Sequence, residues 1–285
     1  MLKLELPLDP GLVRVIAAVQ NGAEAEGVDI FLVGAAARDL LLVHVHGQRV
    51  RRATKDLDFA VALASWEAFE QLKARLIREH GFDYDTRQIQ RLMFTSEGEG
   101  SGTSIDLVPF GELQLDRQTL VWPPEMDVTM TVAGFEEALD SAQLVELEVG
   151  LQVKVASLPG LTILKLFAWG DRGRRDGKDA VDLLTLLRSY GEAGNFDRMT
   201  DPNQVFDRYI ALEGNDEKTG AWLLGLDCGR LASAETAAGL RRLWGDGDRR
   251  EKLINAMAFD GRGVRGARER AEELIDLFLL GFEEA

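Results

Sequence analysis

Hydrophobic and polar positions follow one pattern in the first half of the chain and another in the second. Residues 10–26 carry apolar side chains at helical spacing, and VDIFLV at 28–33 is a short apolar run closed by Gly34, which predicts a buried strand. A helix is predicted directly behind it at 35–43 (AAARDLLLV). The segment 44–55 (HVHGQRVRRATK) reads as a loop, and DLDFAVAL at 56–63 alternates with period two, as a strand does. Ser65 is a good N-cap for a helix reaching about His80, with Gly81 as its stop. Strands are predicted again at 91–96 and 103–110, and strand-like alternation continues over 120–156, where LVELEVGLQVKVAS turns around Gly150. From Ser157, with Pro159 tolerated in a first helical turn, the pattern is helical to the end, including 221–231 and 264–282. The expected fold class is α+β. A mixed sheet with flanking helices occupies 1–156 and a helical domain 157–285, and with no floppy linker at the boundary the halves are expected to pack over a shared cleft.

Composition narrows the function classes. The 285 residues hold 33 Lys and Arg against 48 Asp and Glu, a net charge of −15, so nucleic acid can meet this protein only at a restricted basic patch. The hydrophobic share of 46% supports a substantial core and excludes disorder over most of the chain. A single cysteine, Cys228, with three histidines (His44, His46, His80), offers neither an internal disulfide nor a zinc site, so a reducing, cytoplasmic setting is expected. MLKLELPLDPG breaks at Pro7 and Pro10 and no stretch of 18 uncharged apolar residues occurs, so neither an export signal nor a membrane span is expected.

The sharpest chemical feature is Asp56-Leu57-Asp58. On a strand, alternate side chains share a face, which places the two carboxylates about 7 Å apart and sends Leu57, Phe59 and Val61 into the core. Hard oxygen donors on a rigid strand suit Mg²⁺, which takes one or two carboxylates plus substrate phosphates. By itself such a pair equally describes a polar strand face in water. Upstream, Gly34 closes a strand and opens a helix, so backbone N–H groups there can receive a phosphate, with Arg38 one turn on as an added donor. Taken without the carboxylates, Gly34 is a plain strand-to-helix turn and Arg38-Asp39 a solvated pair.

FLVGAAARDLLL followed by TKDLDFAV resembles the signature of the polymerase-beta-like nucleotidyltransferase superfamily, in the version of CCA-adding enzymes and poly(A) polymerases. Where the family places Gly or Ser after its first glycine, this chain has Ala35. The resemblance implies a third carboxylate on a later strand, for which Asp106 in TSIDLVPFG is the best candidate, ahead of Asp83 and Asp85 in the loop-like GFDYD. In the second half, LTILKLFAWGDRGRRDGKDAVDLLTLL sets Lys165 and Arg172 on one helical face and Asp179 and Asp182 at i and i+3. It is similar to the helical motifs of AbiE-type abortive-infection nucleotidyltransferases, in which the matching lysine and aspartate serve activity. The bland reading is an exposed helical hairpin with ordinary salt bridges. The resemblance spans roughly residues 28–190.

The implied activity is Mg²⁺- or Mn²⁺-dependent transfer of a nucleoside monophosphate from an NTP to an acceptor hydroxyl. Asp56, Asp58 and Asp106 would hold metal, Gly34, Ala35 and Arg38 the triphosphate, and Lys165 with Arg172 would close over the phosphates, Asp179 assisting. The cations Arg49, Arg51, Arg52 and Lys55, in a stretch without an acid, and Arg172, Arg174, Arg175 and Lys178 favour an RNA end such as a tRNA 3′ end as acceptor. They equally answer the triphosphate. The alternatives are a catalytically idle nucleotide-binding or antitoxin-type interaction module, and a transferase acting on a small molecule or protein. A toxin-like enzyme would have a protein partner such as an antitoxin.

Overall fold

The computed structural model describes residues 1–49, 56–116, 118–123, 128–173, 177–260 and 264–285, and within it the chain divides into two units, Met1–Ser157 and Leu158–Ala285. The first unit runs β1 (Leu2–Lys3), α1 (Pro10–Glu26), β2 (Asp29–Val33) and α2 (Gly34–Asp39), the last continuing as a π-helical turn over Leu40–Val45. Then come β3 (Leu57–Leu63), α3 (Trp66–Glu79), β4 (Phe82–Tyr84), β5 (Arg91–Phe94) and β6 (Ser104–Gly111). A hairpin of β7 (Thr119–Trp122) and β8 (Val128–Thr131), the short helix α4 (Phe135–Asp140), β9 (Gln143–Glu148) and β10 (Leu151–Val155) complete it.

Among the described residues, one eight-stranded mixed sheet has the order β1-β9-β10-β2-β3-β6-β5-β4. β3 lies at its heart, antiparallel to β2 and parallel to β6. Leu57, Phe59 and Val61 on one face of β3 are each no more than 2% exposed, as the period-two pattern requires, and each such burial contributes about 1.5–3 kcal/mol. α3 starts where Ser65 accepts a hydrogen bond from the Ala68 N–H and ends before Gly81, whose φ of +77° suits glycine.

Three expectations change. The helix read as 35–43 is α-helical only to Asp39. Beyond it the turn widens, with the His46 N–H on the Leu41 carbonyl five residues back, and Leu40, Leu41 and Leu42 are all buried. The stretch GFDYD is not a loop: Phe82–Tyr84 pairs with β5, and Asp85 uses its carboxylate to hold the Arg87 and Gln88 N–H groups. The strand-like run 120–156 is interrupted by α4, whose first turn carries Glu136 and Glu137, acids that favour a helix N-terminus.

The second unit is helical: α5 (Leu158–Arg172), α6 (Lys178–Ser189), α7 (Phe196–Thr200), α8 (Phe206–Ala211), α9 (Asp216–Leu231), α10 (Ala234–Gly245), α11 (Gly247–Asp260) and α12 (Ala267–Glu283). Among the described residues no helix is long and apolar enough to cross a membrane. α9 and α12 cross at backbone contact distance, because glycine stands on both sides. A Cβ at Gly225 would lie 1.9 Å from the Phe278 carbonyl oxygen, and one at Gly281 2.0 Å from that of Trp222. Backbone cannot move aside as a flexible side chain does. Gly281→Ala should therefore cost about 1–3 kcal/mol in denaturant unfolding of the second unit, whereas Gly245→Ala, with open space around its Cβ, should change little.

Candidate functional site

The first unit brings its chemistry together through strand register. β2 pairs Val33 with Asp58, β6 pairs Asp106 with the same Asp58, and β5 pairs Arg91 with Asp106. Directly paired residues share a face of the sheet, so Val33, Asp58, Asp106 and Arg91 form one row across four strands. Asp56 precedes β3 by one residue. The same register carried one step further sets it opposite Ser104, whose hydroxyl donates to Asp56 Oδ1 at 2.6 Å. Asp56, Asp58 and Asp106 thus lie at neighbouring positions of one sheet face.

Gly34 ends the β2 end of this row. Its φ is +71°, and a Cβ there would stand 2.0 Å from Asp58 Oδ2, so both conformation and space require glycine. Ala35 follows it inside α2, half-buried. Arg38, only 2% exposed, turns its guanidinium onto Asp39, with Nε at 2.8 Å and Nη2 at 2.5 Å from Oδ1. The open, solvated Arg38-Asp39 pair is therefore replaced by an internal one, since three buried leucines behind it carry α2 into the core. Beside Asp56 a cavity of about 600 Å³ opens, lined among others by Asp39, His44, Gly100 and Ser104.

Asp106 is held by Arg91, a residue without a place in the sequence-based site. Nε and Nη2 of Arg91 each donate at 2.7 Å, one to either carboxylate oxygen. Asp106 raises the Arg91 pKa against the opposing effect of burial, and the charges of Asp56 and Asp85 add to it. Nothing in the spacing of the chain announces this partner, because the antiparallel register of β5 on β6 creates it. Among the described residues no three acidic, histidine or cysteine groups converge to hold a metal ion. The donors nonetheless suit a hard divalent cation in kind: three carboxylates at neighbouring positions of one sheet face, with Gly34 packed closely against that of Asp58.

The helical unit has its own ionic cluster. Lys165 of α5 donates to Asp179 Oδ1 at 2.9 Å and lies 2.6 Å from Asp182 Oδ2, both on α6, and Arg172 Nε reaches Asp179 Oδ2 at 2.8 Å. The shared face expected of Lys165 and Arg172 is realised on Asp179. Lys165, Asp179 and Asp182 are nearly buried, whereas Arg172 is 61% exposed, so the hairpin is not the exposed one of the bland reading. Burial opposes the charge on Lys165, but the Asp182 and Asp179 carboxylates outweigh it and raise its pKa. Burial likewise opposes ionisation of Asp179, and Arg172 and Lys165 outweigh it and lower its pKa. Arg49 and Lys178 are exposed. Arg51, Arg52, Lys55, Arg174 and Arg175 lie outside the described residues.

Two substitutions probe these arrangements. Gly34→Ala should destabilise the first unit by about 1–2 kcal/mol from its left-handed backbone, with a further cost from the contact with Asp58. That further cost should shrink in the double variant with Asp58→Ala, which removes the two nearest atoms, and strictly additive losses in denaturant unfolding would show that the two residues do not touch. Asp179→Asn should cost about 3 kcal/mol near neutral pH, by stranding part of the Lys165 charge. Because the folded carboxyl has a lowered pKa, its contribution is complete above the ordinary carboxylate range and lost as the pH falls through the lower folded value. The gap between wild type and variant, followed by urea unfolding across that acid range, should therefore narrow toward low pH.

Comparison with curated proteins finds no match. Among solved structures, the chain resembles an antigenic nucleotidyltransferase-like protein from Paracoccidioides brasiliensis, at 18% identity over 64% of this chain and 78% of that one, with a TM-score of 0.41. It resembles the antibiotic-resistance factor ANT(2'')-Ia at 16% identity over 73% and 97%, with a TM-score of 0.39. The Thermotoga maritima CCA-adding enzyme complexed with tRNA matches at 12% identity over 97% and 83%, with a TM-score of 0.25. The model of the family described as nucleotidyl transferase AbiEii toxin, Type IV TA system, matches residues 23–249, which include every element of the row. With most of its length matched, this chain belongs to the AbiEii nucleotidyltransferase family and is a nucleotidyltransferase.

Proposed function

We propose that this protein moves a nucleoside monophosphate from an NTP to an acceptor hydroxyl at the Gly34–Asp58–Asp106 row, in a toxin-like role. The observation that carries the reading is the register that sets Asp58 beside Asp106, with the Asp58 carboxylate packed against Gly34 where a Cβ would otherwise stand. Asp56 and Asp58, with Asp106 as third donor, would hold a divalent cation, Mg²⁺ or Mn²⁺. Bound there, it supplies charge neutralisation for the phosphates and for the departing diphosphate. The Ser104 hydroxyl orients Asp56, and Arg38, locked to Asp39, fixes α2 behind Gly34 so that the turn can receive a phosphate on its backbone. The cavity beside Asp56 gives a nucleotide or acceptor room.

For the acceptor we favour an RNA 3′ end such as that of a tRNA. Its support is the cation run of Arg49, Arg51, Arg52 and Lys55, which leads into Asp56 without an acid. The family's description as part of a TA system supports a protein antitoxin as the partner that restrains it.

Incubation with each of the four labelled NTPs, Mg²⁺ or Mn²⁺ and an RNA pool should yield labelled product. Asp56→Asn and Asp58→Asn should each lower transfer by at least about a hundredfold while melting at or above the wild-type temperature, since each removes an acid from a crowded anionic site. Wild-type rates in either variant would place the reaction elsewhere. Label carried into small molecules or protein, with no RNA product, would replace the RNA acceptor.

A further inference from the structure

Arg91 stands at the end of the carboxylate row, and its placement bears on how that row is filled. It is the first residue of β5, directly paired with Asp106, and the two side chains are 26% and 19% exposed. The planar guanidinium engages both oxygens of Asp106 at 2.7 Å, so neither is presented to another cation without sharing. An arginine cannot relieve this by losing its proton, because it stays charged at any working pH. It can relieve it by moving. Its long side chain, a quarter exposed, has solvent beside it, and the partner best able to compete for a guanidinium is another flat or forked set of oxygens, such as a phosphate group.

We propose that Arg91 is a positioning residue that holds Asp106 in reserve and releases it when a nucleoside triphosphate offers its phosphate oxygens instead. Resting on the reading of Asp56, Asp58 and Asp106 as a divalent-cation site, this adds an order to its filling. Before nucleotide arrives, the row carries a positive charge at its third position. After Arg91 exchanges Asp106 for phosphate, all three carboxylates face the cation and the guanidinium has become a phosphate contact. Cation and nucleotide therefore bind cooperatively, and the cation alone binds weakly. The exchange makes and breaks only hydrogen bonds and ion pairs, with no proton or electron moved.

The test is Mn²⁺ binding by the full-length protein, followed by electron paramagnetic resonance, with and without a non-hydrolysable NTP analogue. Wild type should bind Mn²⁺ more tightly with the analogue present, within the roughly 5–150-fold range of such couplings. Arg91→Gln should bind Mn²⁺ about tenfold more tightly than wild type without nucleotide, and should lose most of the coupling. Arg91→Lys, which keeps the charge but not the fork, should fall between, and it serves if Arg91→Gln melts early. Asp106→Asn should abolish the advantage of Arg91→Gln when the two are combined. Unchanged or weaker Mn²⁺ affinity in a stably folded Arg91→Gln or Arg91→Lys protein, with coupling intact, would overturn the proposal and leave Arg91 a structural clamp. If Asp56→Asn and Asp58→Asn leave Mn²⁺ binding untouched, the cation site itself is misplaced, a failure separable from that of Arg91.

Discussion

The pairing of β3 with β6 is the constraint on which the first unit depends. These strands run parallel over seven paired residues, Leu57 with Ile105 through Leu63 with Gly111, and a slip of one position would turn every side chain of one strand to the opposite face. Leu57, Phe59, Val61, Ile105 and Leu107 are all buried, so such a slip would trade a close-packed core face for solvent. The energy that fixes the register is therefore hydrophobic, while its chemical result is polar. Asp58 and Asp106 are carried into adjacency by the leucines and valines between them, although two neighbouring carboxylates repel each other.

That repulsion is managed by neighbours on either side. Gly34 leaves space against Asp58, Ser104 gives Asp56 a hydroxyl donor, and Arg91 neutralises Asp106 through two hydrogen bonds. The helical unit shows the opposite balance. There Lys165 is nearly buried between Asp179 and Asp182, so that charge joins α5 to α6 out of reach of most solvent. In such a buried cluster desolvation offsets much of the attraction, while removing one partner strands the charge of the other.

Much of the fold was legible because local signals agree. The period-two run at β3, the Ser65 cap, the glycine stops and the long helical stretch after Ser157 each point to the element that forms. The departures occur where a local pattern meets a tertiary demand. The leucines after Asp39 are drawn into a wider π turn, the short acid-led α4 interrupts a strand-like stretch, and Phe82–Tyr84 becomes an edge strand because β5 is there to pair with it. Of the site, Asp56, Asp58, Gly34 and Asp106 could be picked out because alternation along a strand, or a glycine at a strand end, has a direct geometric meaning. Arg38, read as a phosphate donor one turn into the helix, is internal and turned onto Asp39, since exposure depends on what packs over a helix.

By itself, the sequence determined the order of the main elements around β2, β3 and β6, the face that each carboxylate takes on its own strand, the acidic charge that restricts nucleic acid to a local patch, and the motif spacing that identifies the superfamily. Each of these depends on residues close together along the chain, where backbone geometry sets distance. Only the tertiary structure decided that Asp58 and Asp106 are direct neighbours, that Arg91 engages Asp106 with both arms, and that Lys165 is shared by two aspartates. These relations join residues 14 to 48 positions apart through strand register and helix packing. Register is set by the summed burial of many apolar side chains, a property of the assembled sheet that no single segment carries.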